Sequence, residues 1–210
     1  NMPWDGTELH LATLTEDGNV AHSSRIAGDH GTSVQQPAFS ASGRLCFVSD
    51  ASGWWNLYEW VDDEARALHP LAAEFGGPQW ALGLTTWCYR SETEIACVVN
   101  EANTDSIALL DLDTGELREL EADVNSVGSL SADATRLVYT GANALAFPAL
   151  YSRTWDDGTT DCVRRAADLT FEPGALSAPE AISFPTGDGD TAHGFFYPPA
   201  NGRYSGPVGL

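Results

Sequence analysis

At 210 residues, 43% of them hydrophobic and seven of them Trp, the chain is long enough for one large domain with a substantial core. Its formal charge of −20 comes from 30 acidic and 10 basic residues, all ten of them Arg, and it repels phosphate backbones and anionic lipid. That argues against nucleic acid and membrane as partners. No apolar run approaches the roughly 18–20 residues of a spanning helix, and the opening residues do not read as a secretion signal.

In chain order, residues 7–14 (TELHLATL) and 20–27 (VAHSSRIA) read as two strands around the turn Glu16-Asp17-Gly18-Asn19. They are expected to be the last two strands of a four-stranded unit. Residues 36–71 carry the clearest complete unit, with strands at 37–40, 44–49, 54–61 and 65–71. Ala41-Ser42-Gly43, Asp50-Ala51-Ser52-Gly53 and Asp62-Asp63-Glu64 are its turns, since Gly, Asn, Asp and Ser clusters between short β-prone runs mark tight antiparallel connections.

After a small connection at 72–77, the next unit places an inner strand at 79–83, a hairpin of 85–90 with 94–100, and a second hairpin of 106–112 with 116–120. A further unit follows, with strands at 127–130, 136–140, 149–154 and 160–164. Leu9, Leu57, Leu109 and Leu150 align these units at intervals of roughly 40–50 residues, the period of a propeller blade. The expected fold is all-β: a propeller fragment of about three and a half four-stranded blades. Residues 1–33 form the half blade, and residues 34–71, 77–120 and 124–170 form the full ones.

The tail changes character. A Pro/Gly/Ala/Ser connector leads to EAISFPTGDGDTAHGFFYPP (residues 180–199), a single tight hairpin unlike any blade. A domain boundary near Leu176 is therefore expected, with residues 177–210 as linker and the start of a second domain. About thirty residues cannot form a core of their own. Together with the abrupt start at Asn1-Met2-Pro3-Trp4, this makes a piece of a longer protein the expectation.

The four Cys (Cys46, Cys88, Cys97, Cys162) form no C-x-x-C pair and lie at no metal-ligand spacing from a His. They read as small buried hydrophobes of a reducing compartment, so the expected location is cytoplasmic. Cys88 and Cys97 flank the turn Ser91-Glu92-Thr93-Glu94 symmetrically and could face each other across it. Asp188-Gly189-Asp190 with His193 reads as a hairpin turn, having too few alternating oxygen ligands for a calcium loop. Neither a metal nor a cofactor is expected. Trp54, Trp55 and Tyr58 read as packing between neighbouring sheets. No G-x-S-x-G occurs; Gly128-Ser129-Leu130-Ser131-Ala132 comes closest, with Ser131 better explained as a turn.

NMPWD (residues 1–5), GRLCFVSDASGWWNLYEW (43–60), AEFGGPQW (73–80) and ISFPTGDGDTAHGFFYPP (182–199) together resemble the propeller segment of prolyl-oligopeptidase-family serine peptidases, in the branch of acylaminoacyl-peptidases and dipeptidyl aminopeptidases. The last stretch looks like the first hairpin of that family's α/β-hydrolase domain. The common Ser-Pro-Asp-Gly blade turn stands here as Ser40-Ala41-Ser42-Gly43 and Ser131-Ala132-Asp133-Ala134.

The resemblance implies a short-peptide substrate and a nucleophilic Ser followed by Asp and His, all expected beyond Leu210, so no catalytic residue is assigned here. What remains for this chain is steric selection and contact with the channel wall. Glu74, Gln79 and Trp80 are the candidates, because they link an outer strand to the next inner strand. A stand-alone propeller that binds or scaffolds is the alternative reading, and the Pro-flanked tail hairpin speaks against it. An open arc also leaves terminal strand edges free for pairing with another copy.

Overall fold

The computed structural model describes residues 2–81, 83–169, 171–172 and 174–200. Among them are sixteen strands and no helix. The strands are β1 (Leu9–Leu14), β2 (Val20–Ala27), β3 (Val34–Phe39), β4 (Leu45–Ser49), β5 (Asn56–Val61), β6 (Glu64–Ala67), β7 (Trp87–Tyr89), β8 (Glu94–Glu101), β9 (Thr104–Asp111), β10 (Leu117–Leu120), β11 (Ser126–Ala132), β12 (Arg136–Asn143), β13 (Ala146–Thr154), β14 (Thr160–Arg165), β15 (Glu180–Pro185) and β16 (Thr191–Phe196).

Each strand pairs antiparallel with its sequence neighbour. The result is a hairpin β1–β2, three four-stranded meanders (sheet I, β3–β6; sheet II, β7–β10; sheet III, β11–β14) and a tail hairpin β15–β16.

The sheets stack face to face through three apolar layers. Leu9, Leu11 and Ile26 of the first hairpin pack on Val34, Leu45, Phe47 and Tyr58 of sheet I. The other face of sheet I gives Cys46, Val48 and Leu57 to a layer shared with Ile95, Cys97, Val99 and Leu110 of sheet II. Sheet II then turns Ala96, Val98, Ile107 and Leu109 toward Leu130, Leu137 and Tyr139 of sheet III. Successive side chains along a strand point to opposite faces. A strand covered on both sides therefore carries apolar residues at successive positions, as Leu45-Cys46-Phe47-Val48 do in β4, which is buried throughout.

The structure corrects several expectations. No strand forms at 79–81 or at Gly83, and Leu82 lies outside the described residues; the first strand of sheet II is β7. The turn after β7 closes on Ser91-Glu92-Thr93, with the Arg90 N–H donating to the Glu94 carbonyl at 2.9 Å, rather than on four residues. Trp87 therefore faces Cys97, and Cys88 faces Ala96. That slip of one residue sends the two thiols to opposite faces of sheet II, so they cannot bond. All four cysteines are free, and Cys162 is exposed rather than buried. Ser131 lies within β11, and the turn that follows is built around Asp133. Trp55 and Tyr58 pack between sheets as expected, whereas Trp54 is largely exposed.

Candidate functional site

The first strands of the three sheets interlock with one another, and two of them carry a bulge at the matching place. Pairing in sheet I skips Gln36-Pro37, and in sheet III it skips Gly128-Ser129. A bulge leaves a residue out of the ladder and re-aims its side chain. Gln36, at a φ of 51°, turns its amide onto the segment before β7. There it accepts the Thr86 N–H at 2.8 Å and donates to the Thr86 Oγ1 at 2.9 Å. One sheet further on, the Thr85 Oγ1 donates to the Leu130 carbonyl at 2.9 Å. The Leu130 N–H donates back to the Thr85 carbonyl at 3.1 Å.

The connection from sheet I to sheet II, where the three channel candidates lie, is fastened at its start. Glu74 exchanges backbone hydrogen bonds with Asn100, and its Oε2 accepts the Trp55 N–H at 2.7 Å. Phe75 is fully buried and donates its N–H to the Trp55 carbonyl at 2.6 Å. A Cβ at Gly76 would sit within 2.9 Å of Val48, Gln35 and Trp55, so only glycine fits. Gln35 donates its amide to the Gly77 carbonyl at 3.1 Å. From there the chain leaves the core. Gln79 is half-buried, while Trp80 is 77% exposed and packs on Trp4 with ring centroids 4.4 Å apart.

Glu74 faces a different place. It lines a cleft of about 330 Å³ between the sheet I–sheet II junction and the tail hairpin, with Trp54, Glu101, His193 and Phe195. Across the hairpin, Ser183 and His193 are directly paired, and the Ser183 Oγ lies 2.8 Å from the His193 Nδ1. The sequence marks His193 only as a residue following the turn Asp188-Gly189-Asp190. This pair is visible only once the turn Thr186–Asp190 fixes the register. A Ser–His contact alone does not make a nucleophile of the relay type, which needs a third group on the ring and oxyanion donors. Among the described residues, no carboxylate hydrogen-bonds the His193 ring.

The strongest titratable cluster is structural. Glu59 is 4% exposed. Its two carboxylate oxygens accept from the Arg44 Nε and the Arg66 Nη2, each at 2.7 Å. Burial by itself raises this carboxyl, but the hydrogen bonds and charges of Arg44 and Arg66 outweigh it and hold the group below the usual carboxylate range. Arg44 continues to Asp113 at 2.9 Å and to the Leu112 carbonyl, tying sheet I to the last turn of sheet II. Burial likewise pushes the thiol of Cys46 up to about 11 and that of Cys88 to about 12, so neither is a poised nucleophile.

Meanders of four strands, stacked through shared apolar layers in chain order, make this a β-propeller segment, and the fold matches the propeller part of prolyl-oligopeptidase-family peptidases. No family model and no curated protein sequence matches the chain. Solved structures do. A puromycin-hydrolyzing peptidase from Mycobacterium tuberculosis is 28% identical, with a TM-score of 0.89 over 100% of this chain and 32% of that one. A puromycin hydrolase is 28% identical, with a TM-score of 0.86 over 99% of this chain and 32% of that one. Prolyl oligopeptidase B from Galerina marginata, bound to a 25mer macrocyclization substrate, shares the fold at 13% identity, with a TM-score of 0.71 over 92% of this chain and 27% of that one. The chain spans about a third of the length of the first two structures.

Proposed function

We propose that this chain is the non-catalytic, substrate-gating propeller part of a serine exo- or oligopeptidase acting on short peptides. The observation that carries the reading is the likeness, at 28% identity and end to end, to a puromycin-hydrolyzing peptidase of about three times this length. The absence of G-x-S-x-G from the 210 residues supports a division of labour in which acyl transfer belongs to another part of the protein. The propeller's share is exclusion and contact. The first strands and their bulges form a rigid wall, and Gln79 and Trp80, braced by Trp4, present an amide and an aromatic face to a passing peptide. Residues 177–200, with the hairpin β15–β16, are the start of the hydrolase domain in this reading. We assign the parent activity to the acylaminoacyl- or dipeptidyl-aminopeptidase branch, on the resemblance carried by residues 43–60 and 182–199.

Three measurements test this together. The purified 210-residue chain should hydrolyse neither aminoacyl nor acyl-peptide reporters, and a serine-directed phosphonate should label no site stoichiometrically. The reading frame of the parent gene should contain G-x-S-x-G after Leu210, followed by Asp and His. Stoichiometric labelling of this chain, or a frame without that elbow, overturns the proposal.

A further inference from the structure

The two ends of the stack carry unlike surfaces. At the sheet III end, a cavity of about 640 Å³ opens between the β12–β13 turn and the chain that leaves β14. Leu145, Phe147, Leu169 and Phe171 line it, each more than a third exposed, and the rings of Phe147 and Phe171 lie 5.8 Å apart. A polar groove continues from this cavity along β14, and the two share Arg165, Ala167 and Asp168. Arg164 and Arg165 both line the groove. Among the described residues, the ion pairs of Arg use Arg25, Arg44, Arg66 and Arg90, so neither of these two guanidinium groups is paired. Asp168 and Glu172 are the acids of the same surface. The tip of the first hairpin has the opposite character. Leu14 and Val20 are cross-strand partners, 64% and 63% exposed, and together form an apolar knob. The turn between them presents Glu16 and Asp17, both exposed and in no ion pair among the described residues. That turn is fastened at its base, where the Thr15 N–H donates to the Asn19 carbonyl at 2.8 Å and the Asn19 N–H to the Thr15 Oγ1 at 3.1 Å.

We infer that the hairpin tip of one copy of this chain docks, head to tail, into the sheet III cavity of a second copy. Leu14 and Val20 enter the apolar cavity, and Glu16 and Asp17 meet Arg164 and Arg165. Burial of the apolar knob drives the contact, and charge decides which surfaces meet. A chain with a formal charge of −20 repels its own copies over most approaches, and two free guanidinium groups side by side mark the place where an acidic tip is admitted. A two-fold contact would set arginines against arginines or acids against acids. The tip-to-cavity contact has no such conflict, and it leaves one tip and one cavity free in every assembly, so it repeats until a ring closes or a filament grows. The inference goes beyond the peptidase reading and does not depend on it.

The test is sedimentation velocity on the whole 210-residue chain at about 0.15 M salt, where charges farther apart than roughly 8 Å are screened. One variant carries Leu14→Asp with Val20→Asp and keeps the cavity; another carries Arg164→Glu with Arg165→Glu and keeps the tip. Each alone should associate at least tenfold more weakly than wild type. Their equimolar mixture should form a one-to-one dimer and nothing larger, because it holds a single compatible tip and cavity. All four positions are exposed, so both variants should unfold at the wild-type temperature. A milder pair of changes checks the sign of the charge effect. Glu16→Gln with Asp17→Asn should weaken wild-type association several-fold, and Asp168→Asn with Glu172→Gln should strengthen it. A wild-type chain that stays monomeric, a tip or cavity variant that associates unaided, a mixture that stays monomeric, or mild variants that move association the other way overturns the inference.

Discussion

Glu59 shows how a single buried charge is made tolerable and what it then controls. An unpaired carboxylate with 4% exposure would be neutralised, but two guanidinium groups at 2.7 Å keep it ionised. Glu59→Gln removes the charge and leaves Arg44 and Arg66 facing a neutral amide, so a loss of about 3–5 kcal/mol is expected from urea denaturation at pH 7. The pH dependence follows from the direction of the shift. The folded carboxyl lies below its unfolded value of about 4.3. Its contribution is complete above that value and disappears as the pH falls through the lower folded one. Wild-type stability should therefore drop on acidification below about pH 4.3, and Glu59→Gln should show a shallower drop in the same window. Equal slopes for the two proteins would remove Glu59 from the acid transition. Nothing in the sequence marked this residue. Arg44 immediately precedes β4, Glu59 lies on β5 and Arg66 on β6, and only the register of sheet I brings them together.

The same dependence on register decides how much of each element could be read in advance. Strands of sheet III were legible because turn chemistry brackets them: Asp133 accepts the N–H groups of Thr135 and Arg136 and holds the β11–β12 connection. The first strand of sheet II was not. Gly76-Gly77-Pro78 reads as the end of a connection, yet the chain runs on to Trp87 before it pairs, because Phe75 and Thr86 must first reach the core and the Gln36 amide. The β8–β9 turn has no glycine to signal it in the sequence. Ala102 and Asn103 sit at φ of 51° and 60°, the left-handed pair that a two-residue hairpin requires. Neither is glycine, and a left-handed L-residue costs roughly 1–2 kcal/mol. Replacing the pair with Asn-Gly (Ala102→Asn with Asn103→Gly) should raise the unfolding free energy by about 1 kcal/mol, read as a higher urea midpoint at constant slope. A lower midpoint would mean that the turn is held by something other than its own backbone preference.

At the scale of the molecule, the stack of sheets explains both what the composition concealed and what the surface exposes. The inner strands carry no polar alternation, because sheets I and II are covered on both faces, so β4, β8 and β9 read as plain apolar runs. The repeat period and the turns had to carry the fold instead, and they did so for the sheets. The candidate site was less legible. Glu74, Gln79 and Trp80 share one short segment of sequence, but Glu74 opens on the hairpin cleft while Trp80 meets Trp4. Chain neighbours part ways once Phe75 is anchored. The stack also has two ends. β14 is exposed along its whole length with Val163 at 57%, and β1–β2, with Leu14 and Val20 outward, has two strands where sheets I, II and III have four. Unpaired edges of this kind recruit another strand. The purified chain is therefore expected to self-associate. Sedimentation velocity from low micromolar to a hundred micromolar should show a rising weight-average coefficient. Val163→Lys should reverse that rise, since it places a charge on the exposed edge strand without touching a buried layer. A concentration-independent monomer would mean that the terminal edges are protected in solution, and an unchanged rise in the Lys variant would move the contact away from β14 to the first hairpin.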